Sequence, residues 1–136
     1  YTGLNAVYDS SYTSSAGVVE SGNHLPGIPR STLFGEVAWH HQASGFHTAL
    51  EAIARDKVYV EDKNVQQAAP GYAIANLRFG LERQYGGLNL KGFVRVDNLF
   101  DKQYVGSVVV GDTNGRYYES APGRSALLGM SARYAF

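Results

Sequence analysis

The chain has 136 residues, and its 12 Lys plus Arg are balanced by 12 Asp plus Glu, which excludes an overall electrostatic affinity for nucleic acid. It contains no Cys, so a disulfide scaffold, a Cys-ligated zinc or iron–sulfur centre and a thiol nucleophile are excluded as well. Apolar residues make up 44% and charged residues 18%, with 16 Gly and 10 Tyr, and no apolar run approaches the roughly 20 residues of a membrane helix; the composition points to β structure.

The opening Tyr1-Thr2-Gly3-Leu4 has no initiator Met, basic start or apolar leader, and the chain is expected to be a piece of something longer. Alternation of apolar and polar residues then favours strands over helices throughout. It is weak over residues 4–13, where Leu4, Ala6, Tyr8 and Tyr12 share a side, and over 32–41, with Leu33, Val37 and Trp39. Over 46–60 it sets Phe46, Leu50, Ala52 and Ala54 against His47, Glu51, Arg55 and Lys57. Over 72–85 it sets Ala73, Ala75, Leu77, Phe79 and Leu81 against Asn76, Arg78 and Glu82, with Ile74 out of place. Over 88–98, Leu88, Leu90, Gly92, Val94 and Val96 oppose Asn89, Lys91, Arg95 and Asp97, and Phe93 is the large apolar exception. Over 125–136, Ala126, Leu128, Met130, Ala132, Tyr134 and Phe136 form an unbroken apolar side. Six antiparallel strands are expected.

Connections 14–31, 61–71 and 101–123 are long, whereas 42–45 and 86–87 are short. All long ones fall at one end of the strands, as in an outer-membrane barrel with short periplasmic turns and long extracellular loops. Strands of about 10 to 14 residues also suit an oblique crossing of a bilayer, which takes about 9 to 11. Trp39, Phe46, Tyr85, Tyr134 and Phe136 fall at the short-turn end, and Tyr12, Tyr59, Tyr72, Phe100 and Tyr104 toward the long loops, as two interfacial girdles require. Phe34, Phe79 and Phe93 break that pattern. The polar side carries Glu51, Arg55, Arg78, Glu82, Lys91, Arg95, Asp97 and Arg133, charges suited to a wet interior, so the apolar side is expected to face lipid. The alternative is a soluble or surface β-sheet binding module whose apolar side covers an internal core.

Three stretches resemble the TonB-dependent outer-membrane receptors that import siderophores and other scarce nutrients. They are Asn98-Leu99-Phe100-Asp101-Lys102-Gln103-Tyr104; Ala121-Pro122-Gly123-Arg124 with the alternating strand to Tyr134-Ala135-Phe136; and Leu25-Pro26-Gly27-Ile28-Pro29-Arg30, with Pro70-Gly71-Tyr72 as a further match. The resemblance implies the last six strands of a 22-stranded transmembrane barrel, without its N-terminal plug, in the outer membrane of a Gram-negative bacterium. It implies TonB-energised uptake of a ferric siderophore or other metal chelate, with TonB engaging a region absent here, and a terminal Tyr134 and Phe136 read by the barrel assembly machinery. Asn98 and Asp101 also read locally as turn formers that stop a strand.

No catalytic, phosphate-cradling or dinucleotide motif occurs, no cofactor is implied, and Gly86-Gly87 reads as a type I′ hairpin turn. That turn sets Tyr85 opposite Leu88, Glu82 opposite Lys91, Phe79 opposite Val94 and, less comfortably, Arg78 opposite Arg95. His40 and His47 face each other across the 42–45 turn, as do Glu36 and Glu51, yet two imidazoles are too few for a closed metal site. For capture of an anionic chelate the loop cations and phenols are Lys57, Tyr59, Lys63, Tyr104, Arg116, Tyr117 and Tyr118. Segment 111–118 is expected to lie beyond the strands.

Overall fold

The computed structural model describes residues 1–135 and has an all-β architecture. Its strands are β1 (Thr2–Gly3), β2 (Tyr12–Ser14), β3 (Gly17–Val19), β4 (Ser31–His41), β5 (Phe46–Arg55), β6 (Tyr72–Tyr85), β7 (Leu88–Asp97), β8 (Val105–Val108), β9 (Tyr118–Ser120) and β10 (Ser125–Tyr134). One six-stranded sheet has the order β1-β4-β5-β6-β7-β10, and β2–β3 and β8–β9 are separate two-stranded ribbons. β1 pairs with β4, β6 with β7 and β7 with β10, each antiparallel. The chain divides into two compact units.

One unit, residues 34–53, 74–102 and 123–136, holds the body of the long strands. In it the β6–β7 register matches the expected one residue for residue: Tyr85↔Leu88, Glu82↔Lys91, Phe79↔Val94 and Arg78↔Arg95. The turn type differs. Only Gly86 has positive φ, at 57°, which fits a type II′ turn, where glycine is needed at the first central position alone, and not type I′, which needs positive φ at both.

Alternation along these strands produces two unlike faces. Val37, Trp39, Leu128 and Met130 on the apolar face are 75%, 54%, 70% and 85% exposed. The buried residues Ala49, Glu51, Asn76 and Gly80 all lie on the charged face. A soluble sheet would cover its apolar face with a core, because a contiguous bare patch beyond a few hundred Å² is rare on soluble monomers. Here nothing among the described residues of this unit covers it.

Phe93, the exception to the alternation, is explained by its neighbours. It pairs with Gly80 on one side and Gly129 on the other, its ring lies where a Cβ of Gly129 would stand, and the His47 ring lies likewise over Gly80. Four strands thus carry a row of ring, glycine, ring, glycine on the charged face, each ring packed on bare backbone. We expect Gly129→Val to lower stability by about 1–3 kcal/mol through overpacking. Gly92→Val on the opposite face, where a Cβ meets only the Gly129 carbonyl oxygen at 3.9 Å, is expected to be near neutral. Urea midpoints of the two variants in detergent check the contrast, and equal midpoints would refute the packing of Phe93 on Gly129.

The second unit comprises residues 1–33, 54–73 and 103–122. It holds Val19, Val58, Val60 and Ala69, four of the five buried apolar residues described, so the connections have an interior while the strands have little. Three expectations change here. Residues 4–13 do not form a long strand. Leu4 and Tyr8 donate backbone N–H groups to Arg30 and Asn23 at 2.8 and 2.9 Å, and Leu25 donates to Ala6 at 3.0 Å, so the segment pairs irregularly with its own following loop. The strand expected over 46–60 stops at Arg55, where the Asp56 carboxylate takes the Lys57 N–H at 2.7 Å and interrupts the ladder; Val58 resumes as an isolated bridge to Ala69. Segment 111–118 is not wholly beyond the strands, because Tyr118 opens β9 and pairs with Val108. The last strand is described to Tyr134, and Phe136 lies outside the described residues.

Candidate functional site

On the charged face the directly opposed arginines are held by acids. Glu51 lies 3.9 Å from Arg78 and 3.3 Å from Arg95, Glu36 is 3.6 Å from Arg78, and Asp97 takes the Arg95 Nε–H at 2.7 Å. Glu51 also accepts from the buried Asn76 amide at 3.3 Å. Arg78 thus bridges the two facing acids, Glu36 and Glu51. Toward the short turns Lys91 and Glu82 pair at 2.8 Å. These groups make a solvated charge network rather than an acid–base pair. His40 and His47 are brought together as expected, with ring centroids 6.2 Å apart, but among the described residues no cluster of three or more His, Cys, Asp or Glu could hold a metal.

The Asn98–Arg124 region is a single hydrogen-bonded device. Asn98 and Asp101 both adopt positive φ, 52° and 53°, a conformation asparagine and aspartate tolerate better than other side-chain-bearing residues. The Asn98 side chain accepts from the Lys102 N–H at 2.9 Å and donates to the Lys102 carbonyl at 2.8 Å. Its backbone N–H goes to Asn76 Oδ1 at 3.0 Å. Asp101 then accepts the Arg124 N–H at 2.8 Å, tying the end of β7 to the start of β10. A Cβ on Gly123 would come within 3.0 Å of that same carboxylate oxygen, which gives the Pro122-Gly123 step its reason. Leu99 continues the backbone bonding to Ala75 at 2.8 Å, and Phe100 is 78% exposed.

In the loop unit the expected ligand residues fall into separate groups. Lys57 Nζ lies 5.2 Å over the Tyr59 ring, Tyr59 also stacks with His24 at 5.3 Å, and its carbonyl accepts the Gly27 N–H at 2.9 Å. Tyr104 packs on Tyr72 at 4.2 Å. Tyr117 and Tyr118 meet edge to face at 6.3 Å, with the Tyr118 hydroxyl donating to the Gln67 carbonyl. Lys63 has a structural tie, its ammonium donating to the Ala16 carbonyl at 2.8 Å. Arg116 is positioned through its backbone, whose N–H reaches Asp112 at 2.6 Å. That bond, with a second from Asn114, holds the Asp112 carboxyl below its ordinary range.

Sequence reasoning missed the residues that organise these loops. Asn64, at φ 55°, accepts the His24 N–H at 2.7 Å and returns a bond to the His24 carbonyl at 2.9 Å, so its amide acts as a strand partner. Glu61 gathers the N–H groups of Lys63, Val65 and Gln66 at 2.8, 2.6 and 3.1 Å. Asp62 accepts from Tyr8 at 2.7 Å and Tyr12 at 3.5 Å. The Tyr8 phenol is pushed above its usual range, first by its bond with Tyr12, then by burial and by Asp62. The run of turn formers from Glu61 to Asn64 was the available signal.

No family model matches the chain. Among solved structures, the siderophore receptor PiuA from Acinetobacter baumannii shares its fold over 90% of this chain, with a TM-score of 0.69 at 21% sequence identity. This chain spans 16% of that receptor's length. The fold of the present sheet and its loops is that of the matching stretch of PiuA.

Proposed function

We propose that the chain is the C-terminal wall of a TonB-dependent outer-membrane receptor that imports a ferric siderophore or other metal chelate. The observation that carries this reading is the two-faced sheet: a bare apolar face, which lipid covers, and a face of Arg, Glu, Lys and Asp, which lines a wet interior. The strands that complete the wall pair with the edges at β1 and β10, because an open edge in lipid leaves backbone groups unsatisfied. TonB acts through a plug region outside this chain, and Phe136 serves recognition by the barrel assembly machinery. In the loops Lys57, Tyr59, Arg116 and Tyr117 supply cations and phenols to an anionic chelate, with Tyr104, Tyr118 and Lys63 holding the loop framework.

The test pairs surface abundance with chelate uptake in the intact receptor. Arg116→Ala combined with Tyr117→Ala is expected to cut uptake roughly tenfold at unchanged abundance, as loss of a charge-assisted contact implies. Phe136→Lys is expected to reduce abundance while uptake per receptor stays constant. Unchanged uptake of every tested ferric chelate in the loop variant would end the capture role.

A further inference from the structure

On the apolar face of the five long strands, residues alternate as Leu33 to His41 on β4, Phe46 to Ala54 on β5, Ala73 to Tyr85 on β6, Leu88 to Val96 on β7 and Ala126 to Tyr134 on β10. Among the described residues of that face, Arg83 is the one Lys, Arg, Asp or Glu. Resting on the membrane reading above, a lone cation facing lipid needs either headgroup depth or an anionic partner. Arg83 has the depth. It stands two residues from the girdle residue Tyr85, about 7 Å along the strand at ~3.3 Å per residue. Its guanidinium donates to the Ala43 carbonyl in the neighbouring short turn at 3.4 Å and is otherwise exposed.

Immediately beyond Arg83 the face has a notch. Leu81, Gly92 and Met130 are register partners across β6, β7 and β10, and the missing side chain at Gly92 opens a hollow of about 500 Å³ bounded by Leu81, Arg83, Leu90 and Met130. A second hollow of about 400 Å³ shares Leu81, Gly92 and Met130 and runs on to Phe79, Val94 and Leu128. An apolar channel thus leads from a cation at headgroup level toward the middle of the strands.

We propose that this channel is a specific site for an anionic phospholipid, with its phosphate on the Arg83 guanidinium and one acyl chain laid over Gly92. The planar guanidinium suits a phosphate through paired donors, and apolar burial along the notch holds the chain. A second copy of this chain would bring its own apolar side chains and no anion to Arg83, so charge selects the lipid.

The experiment places the intact receptor in nanodiscs of equal phosphatidylglycerol and phosphatidylethanolamine and reads retained lipid by native mass spectrometry. The expected result is preferential retention of phosphatidylglycerol. It should fall about fivefold in Arg83→Gln, as loss of one charge-assisted contact implies, and also fall in Gly92→Leu, which fills the notch, with urea midpoints unchanged. Equal retention of the two lipids, retention indifferent to both substitutions, or retained mass equal to a second protein copy would overturn the site. A receptor that never enters the membrane fraction would overturn the transport reading together with it.

Discussion

Asn98→Leu is expected to be the most damaging single substitution in the chain, lowering stability by roughly 3 kcal/mol. Two side-chain hydrogen bonds to Lys102 disappear, each worth about 1 kcal/mol net, and a branched residue is forced to keep a left-handed backbone at a cost of about 1–2 kcal/mol. Asn98 is 3% exposed, so water does not replace the lost partners. A graded series separates the contributions. Asn98→Gly removes the side-chain bonds but keeps the backbone comfortable, and Asn98→Asp keeps the acceptor for the Lys102 N–H while losing the donor. Stability should fall in the order Asn, Asp, Gly, Leu, read as urea midpoints of the intact protein in detergent. A Leu variant as stable as the Gly variant would show that the backbone conformation carries no cost there.

Glu51→Ala is expected to cost about 2 kcal/mol. Removing one member of a buried charge cluster can cost 3–5 kcal/mol, but Arg78 and Arg95 have side chains 41% and 34% exposed, and solvent screens part of their repulsion. Each arginine retains its own acid, Glu36 or Asp97, while the anion they share is lost and the Asn76 amide loses its acceptor. Arg95→Met should therefore be less harmful in the Glu51→Ala background than in the native one. A double-mutant cycle on unfolding midpoints measures this coupling; additive losses would mean that Glu51 does not mediate between the arginines.

The β6–β7 hairpin was legible because a two-residue turn permits one pairing that keeps apolar residues together, and Glu82 against Lys91 fixed it further. The turn type was not, since two consecutive glycines satisfy either primed form. Segment 4–13 misled because period-2 alternation reports an extended chain and says nothing about its partner, which here is its own loop. Phe93 stood as an exception to the alternation because a single strand does not reveal that glycines flank it on both neighbours. Among the site residues, the Asn98 and Asp101 turns were visible from local preference, whereas the bond from Arg124 to Asp101 joins residues 23 apart. Lys63 looked like a ligand cation because composition cannot distinguish an ammonium offered to a guest from one already bound to Ala16.

The ring-and-glycine row has a consequence for fidelity of assembly. A lipid-facing surface of alternating apolar residues is degenerate: sliding one strand by two positions against its neighbour returns every side chain to its proper side, and fluid lipid does not penalise the error. The information that singles out one alignment is therefore stored on the opposite face. A two-residue slip of β10 against β7 would set the Phe93 ring against Leu127 or Ser131 instead of Gly129, and would set Lys91 or Arg95 against that glycine. Rings that fit only over bare backbone thus act as a proofreading key during strand zippering, and mutations that fill Gly80 or Gly129 should raise the fraction of misaligned chains even where the aligned form survives.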